Sequence, residues 1–141
     1  MKVEYFWFAS DEQKRITEEA LSHSLRYLPF WANEVIVQNC GHKEGNVDAE
    51  VVAEPKYRKI NILVFDAFFA NAKEQQEHIL RHEVMHCLIA PITDWCRDVV
   101  LKLIETANPD LYTVLNKALD ERKESVVEDM AIALSAKNEP I

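Results

Sequence analysis

Both glycines of the chain, Gly41 and Gly45, fall inside one short stretch, GHKEGN (41–46). That concentration constrains the fold more than any other feature. Glycine turns a backbone tightly at little steric cost, so tight turns are expected there and rarely elsewhere. Five prolines add little punctuation, and sparse punctuation favours helices. The 141 residues suit one domain spanning 1–141. With 48% apolar and 28% charged residues, a sizeable core is expected and wholesale disorder is not.

The remaining signals arrange themselves around that loop. VEYFWF (3–8) is aromatic-rich and predicts a first strand. Ser10 with Gln13 forms a capping-box signal, and Ile16, Ala20, Leu21, Leu25 and Leu28 continue at helical spacing, predicting a helix over 11–28 that ends before Pro29. EVIVQNC (34–40), AEVVAE (49–54) and KINILVF (59–65) predict three strands, with PKYR between the last two as a bend or bulge. Asn71 and Glu74 mark the start of a helix expected to run to Ala90 and stop before Pro91. A further helix is expected over about 93–107, and NPD (108–110) opens a last one. Strand, helix, three strands and then helices alone predict an α+β domain: a small mixed sheet, the 71–90 helix packed beneath it, and a helical C-terminal half.

That 71–90 helix carries HEVMH, with His82, Glu83 and His86 in the spacing H-E-x-x-H. Residues four apart lie on one helix face, about 6 Å apart along the axis. Two imidazoles so placed can reach one zinc ion at roughly 2.0–2.1 Å. Glu83 sits about 100° round the helix, offset from the ligand line, where it can take a proton from a zinc-activated water. The alternative is three polar residues that share a helix by coincidence. His78 extends the row, but eight residues span about 12 Å, too far for one tetrahedral ion to bridge His78 and His86. His78 is therefore expected at the surface or supporting a ligand. Cys87 is expected to be a small buried residue. Cys40 and His42 form C-x-H in the glycine loop with nothing in sequence to pair with them.

A catalytic zinc commonly has three protein ligands. The extended pattern H-E-x-x-H-x-x-G-x-x-H is excluded, because Ile89 and Ile92 occupy those positions, and no histidine follows His86. The third ligand is then expected to be a carboxylate from a later helix. ERKESVVEDMAIAL (121–134) places Glu124 and Glu128 on one face, with Ala131 on the same stripe and Val127 and Met130 beside it. Glu124 as ligand leaves Glu128 to orient an imidazole N–H. The swapped assignment and Asp120 remain open.

HEVMH followed by a later helix with E-x-x-x-E resembles the gluzincin metallopeptidases, and more closely the small single-domain, minigluzincin-like metallopeptidases often encoded by phages and prophages. The resemblance runs from about Ile60 to Leu134. It implies a zinc-dependent peptidase with His82, His86 and Glu124 as ligands and Glu83 as general base and acid. It also implies that a strand like 59–65 forms the edge above the cleft, where an extended peptide substrate adds by backbone hydrogen bonds. The helix at about 93–107 departs from the pattern. For the oxyanion, Tyr57, Tyr112, Arg81 and His78 are the candidates.

A net charge of −8 argues against nucleic acid and against anionic membrane surfaces as partners. The first residues lack an apolar run of signal-peptide length, and three cysteines without C-x-x-C spacing suit a reducing cytoplasm. Two rivals to a peptidase stand: a non-catalytic metal- or partner-binding domain on the same scaffold, and a metal-free structural domain with its histidines in a polar groove.

Overall fold

The computed structural model describes residues 1–136. It is an α+β chain with a four-stranded mixed sheet and a helical C-terminal half. The strands are β1 (Lys2–Phe6), β2 (Glu34–Asn39), β3 (Ala49–Glu54) and β4 (Lys59–Val64), in the order β1-β2-β4-β3. β1 and β2 are parallel, as are β2 and β4, while β3 pairs antiparallel with β4, Val51 opposite Ile62. The helices are α1 (Asp11–Ser22), α2 (Lys73–Trp95), α3 (Lys102–Ala107) and α4 (Pro109–Ala136).

Strand alternation sets the layers. Val35 and Val37 of β2, with Ile60, Ile62 and Val64 of β4, are fully buried, and their neighbours within the strands are only partly so. That side of the sheet shares one core with Ala20 and Leu21 of α1 and Leu80, Val84 and Cys87 of α2. Burying one face and leaving the other toward water gives strands this two-residue period. Phe68, in the short helical turn Asp66–Ala70, is also fully buried in that core.

The strand expected at the edge is not there. β4 is an interior strand, bonded to β2 on one side and β3 on the other. Its apolar alternation needs cover, whereas β3 brings Glu50 and Glu54 to the rim, and charged residues suit an edge. The glycine loop makes this possible. Gly41 and Gly45 take φ of +75° and +86°, left-handed values that cost other residues strain, and they carry the chain out from β2 to the edge.

Four helix expectations need correction. α1 ends at Ser22, and Leu25–Tyr27 is a separate 3₁₀ turn. There the Ser22 hydroxyl donates to the Glu19 carbonyl at 2.6 Å, a local bond of the kind that competes with helix propagation. α2 passes through Pro91 and continues to Trp95. Pro91 is exposed while Ala90 and Thr93 on the packed side are buried, so tertiary contact carries the helix past a residue that would end it in isolation. A π-helical stretch, Cys96–Leu101, then joins α2 to α3, so the expected 93–107 helix is the end of one element, a wide turn and a short second helix. Asn71 does not cap α2. Ala72 occupies that position, and the Asn71 amide instead donates to Asp48 Oδ1 at 2.9 Å, tying the loop before β3 to the start of the helix. The Ser10 cap holds: its hydroxyl oxygen accepts from the Gln13 N–H at 3.2 Å, and Gln13 accepts in return from the Ala9 N–H.

Among the described residues no helix is long and apolar enough to cross a membrane.

Candidate metal centre

HEVMH lies mid-way along α2, since the helix does not stop at Pro91. One turn of helix brings His82 and His86 together, with their Nε2 atoms 3.2 Å apart. The third donor comes from α4, which packs against α2 through the fully buried Val127 and Ala131. The alanine leaves room for the two backbones to approach. Glu124, one and two turns earlier on that stripe, therefore reaches both imidazoles: Oε2 is 3.3 Å from His82 Nε2, and Oε1 is 3.4 Å from His86 Nε2. Among the described residues, His82, His86 and Glu124 form the one group of histidine, cysteine or acidic side chains arranged to hold an ion.

Glu128 stands behind the histidines. Its Oε2 is 2.8 Å from His82 Nδ1, and its Oε1 is 2.8 Å from His78 Nε2. Burial raises its pKa, but the hydrogen bonds from His82 and His78 outweigh this and leave it lower than usual. A carboxylate can only accept, so neutral His82 carries its proton on Nδ1 and turns the Nε2 lone pair inward. That lone pair faces the Glu124 carboxylate, another acceptor. Two acceptors aimed at one point need a cation or a proton between them. A tetrahedral ion with ligands at roughly 2.0–2.1 Å separates its donors by about 3.3–3.4 Å. His82 Nε2 lies 3.2 Å from His86 Nε2 and 3.3 Å from Glu124 Oε2, close to that spacing, while His86 Nε2 is 3.4 Å from the other carboxylate oxygen, Oε1. One donor atom from each residue falls within 4.8 Å of the others, so this donor set fits a zinc ion.

Glu83 projects to the side of this group, toward β3. Burial pushes its pKa up to about 8, helped by the negative charges of Glu124 and Glu50; Lys123 and a backbone hydrogen bond from Val51 pull the other way. His86 is lowered, chiefly by burial. The three residues open on a cleft of ≈ 510 Å³, with Ala49–Ala53 of the edge strand as one wall and Ala90, Thr93, Asp94, Arg97, Lys123 and Glu124 as the rest.

The other sequence candidates fall elsewhere. Asp120 pairs with Arg97 at 2.5 Å rather than joining the histidines. Cys87 is buried, and its thiol donates to the Glu83 carbonyl. Cys40 and His42 form no metal group among the described residues. Tyr57, Tyr112 and Arg81 are absent from the described lining of the cleft, while His78 lines an adjoining cavity with Asp48, Gln75 and Glu128. Sequence reasoning missed Arg97 and Lys123, the two cations in the cleft wall. Lys123 sits in the run ERKE, which reads as a solvated helix face, and its position directly before Glu124 was the only available signal.

No family model, no curated protein and no solved structure matches the chain.

Proposed function

We propose that this chain is a zinc-dependent metallopeptidase of the gluzincin type, with His82, His86 and Glu124 as ligands and Glu83 as general base and acid. The observation that supports the reading is the convergence of His82, His86 and the Glu124 carboxylate, with the two Nε2 atoms 3.2 Å apart and each within 3.4 Å of a Glu124 oxygen, and with Glu128 bonded to the far nitrogen of His82. A zinc ion bound there would supply a Lewis acid toward a water and a carbonyl oxygen.

The chain's own groups supply the rest. Glu83, partly buried beside the ligands, takes a proton from the attacking water and later gives it to the leaving nitrogen. A raised pKa suits a group that must both accept and donate near neutrality. In this reading the motif helix packs beneath the sheet edge, which is supported by Ala49–Ala53 of β3 lining the same cleft as His82, Glu83 and His86. An extended peptide adding to the free side of β3 by backbone hydrogen bonds would pass its carbonyl over Glu83 and the histidines. A peptide or protein is therefore the substrate, in a reducing cytoplasmic setting that suits the free thiols Cys40, Cys87 and Cys96.

The test is metal content and casein cleavage on protein purified without added metal. The reading expects zinc in the wild type, loss of zinc in His86→Ala, and loss of cleavage with zinc retained in Glu83→Gln. Equal zinc in wild type and His86→Ala removes the metal site. Zinc with no cleavage of any peptide in a diverse library leaves a binding domain on this scaffold.

A further inference from the structure

We propose that Lys123 is the oxyanion donor of this site, its ammonium placed to hydrogen-bond the carbonyl oxygen as negative charge develops there. The inference rests on the metallopeptidase reading above and assigns a role that the ligands and Glu83 leave unfilled.

Three observations carry it. Lys123 lines the same cleft as His82, Glu83, His86 and Glu124. Its side chain is only 23% exposed, so its charge acts across a partly desolvated space rather than in bulk water. Its Nζ makes no hydrogen bond among the described residues, and its nearest acidic neighbour, Asp120, is 3.7 Å away. Asp120 is meanwhile taken up by Arg97 at 2.5 Å, and Arg97 also reaches Asn116. Of the two cations in the wall, Arg97 is therefore engaged and Lys123 keeps free donors. The positive charge of Lys123 opposes the rise at Glu83 and adds to the lowering at His86.

The chemistry balances as follows. The water oxygen bonds to the carbonyl carbon while one water proton passes to Glu83. The carbonyl π pair moves onto the carbonyl oxygen, and Lys123 Nζ donates to that oxygen without transferring its proton. The pair then returns to re-form C=O, the C–N bond breaks, and Glu83 protonates the departing nitrogen. The products are a carboxylic acid and an amine, and Lys123 ends as it began.

The experiment uses the cobalt-substituted full chain, whose visible absorption reports the site, and inorganic phosphate as a tetrahedral oxyanion probe. Wild type is expected to bind phosphate with a spectral shift. Lys123→Met should weaken phosphate binding at least 10-fold, and Lys123→Arg only a few-fold, with cobalt uptake and the phosphate-free spectrum unchanged in both. In peptide cleavage, Lys123→Met should lower kcat on the order of 100-fold or more with little change in KM. Phosphate binding equal in wild type and Lys123→Met overturns the assignment, as does a cobalt-loaded wild type that ignores phosphate. A chain that takes up no cobalt overturns the metal reading first, which separates the two failures.

Discussion

The carboxylate of Glu128 joins His82 at 2.8 Å through Oε2 and His78 at 2.8 Å through Oε1, so one side chain from α4 holds two histidines of α2. This contact fixes the His82 ring and its proton position, and such supports raise the basicity of a ligating imidazole. Glu128→Gln keeps the shape but loses the charge and one acceptor. Zinc affinity should fall about 10–100-fold, measured by competition with a chromophoric chelator. An unchanged affinity would show that Glu128 serves only packing.

The second prediction concerns the metal-free chain and pH. Glu83 has a folded pKa raised from 4.5 to about 8 by burial and by Glu124 and Glu50. Its folded form holds a proton that the unfolded form has released. The stability it contributes is full below pH 4.5 and is lost as pH rises to about 8. His86, lowered by burial, acts in the opposite sense below its ordinary value of 6.5, so the cleanest window lies between pH 6.5 and 8. There, urea denaturation in the presence of EDTA should show stability falling by about 1.4 kcal/mol per pH unit, and Glu83→Gln should flatten the slope. A slope that persists in Glu83→Gln would assign the effect to another group.

The parts legible in the sequence were those fixed by local spacing. His82, Glu83 and His86 need only a helix to be placed, and Glu124 and Glu128 need only to share a face of another. The strands were legible for the same reason: Ala49–Glu54 carries its period within itself. The order of strands was not, because which of β3 and β4 lies at the edge depends on what pairs with each. The end of α2 was misjudged because Pro91 argues locally for a stop, while the burial of Ala90 and Thr93 is a tertiary fact. Asn71 has good capping chemistry, and Asp48 took it instead. Lys123 is not legible as a cleft residue from sequence because its place in the wall depends on how α4 packs against α2.

The third prediction follows from Pro91. Inside α2 it lacks an N–H for the Cys87 carbonyl and crowds the preceding turn. Pro91→Ala should raise stability by about 1–3 kcal/mol, the helix gain being partly offset by a more flexible unfolded chain. Thermal melting should show an increase of several degrees with zinc content unchanged. A lower melting temperature would mean that the proline ring contributes packing in the groove it lines with Leu88 and Ile92.

The last prediction links packing to the site through Ala131. It is fully buried against α2, on the stripe that carries Glu124, and its small side chain sets how closely the two helices approach. Ala131→Leu adds volume where none is free, at a cost of about 1–3 kcal/mol. The strain is relieved most simply by moving α4 outward, which carries Glu124 away from His82 and His86. Zinc affinity should therefore fall together with stability, although no ligand has been changed. Ala133→Leu is the matched control, because Ala133 is exposed on the same helix; it should leave stability within about 0.5 kcal/mol and zinc affinity intact. If Ala131→Leu lowered stability but left zinc affinity at the wild-type value, the position of Glu124 would not depend on the α2–α4 contact, and the carboxylate would be reaching the histidines through side-chain freedom alone.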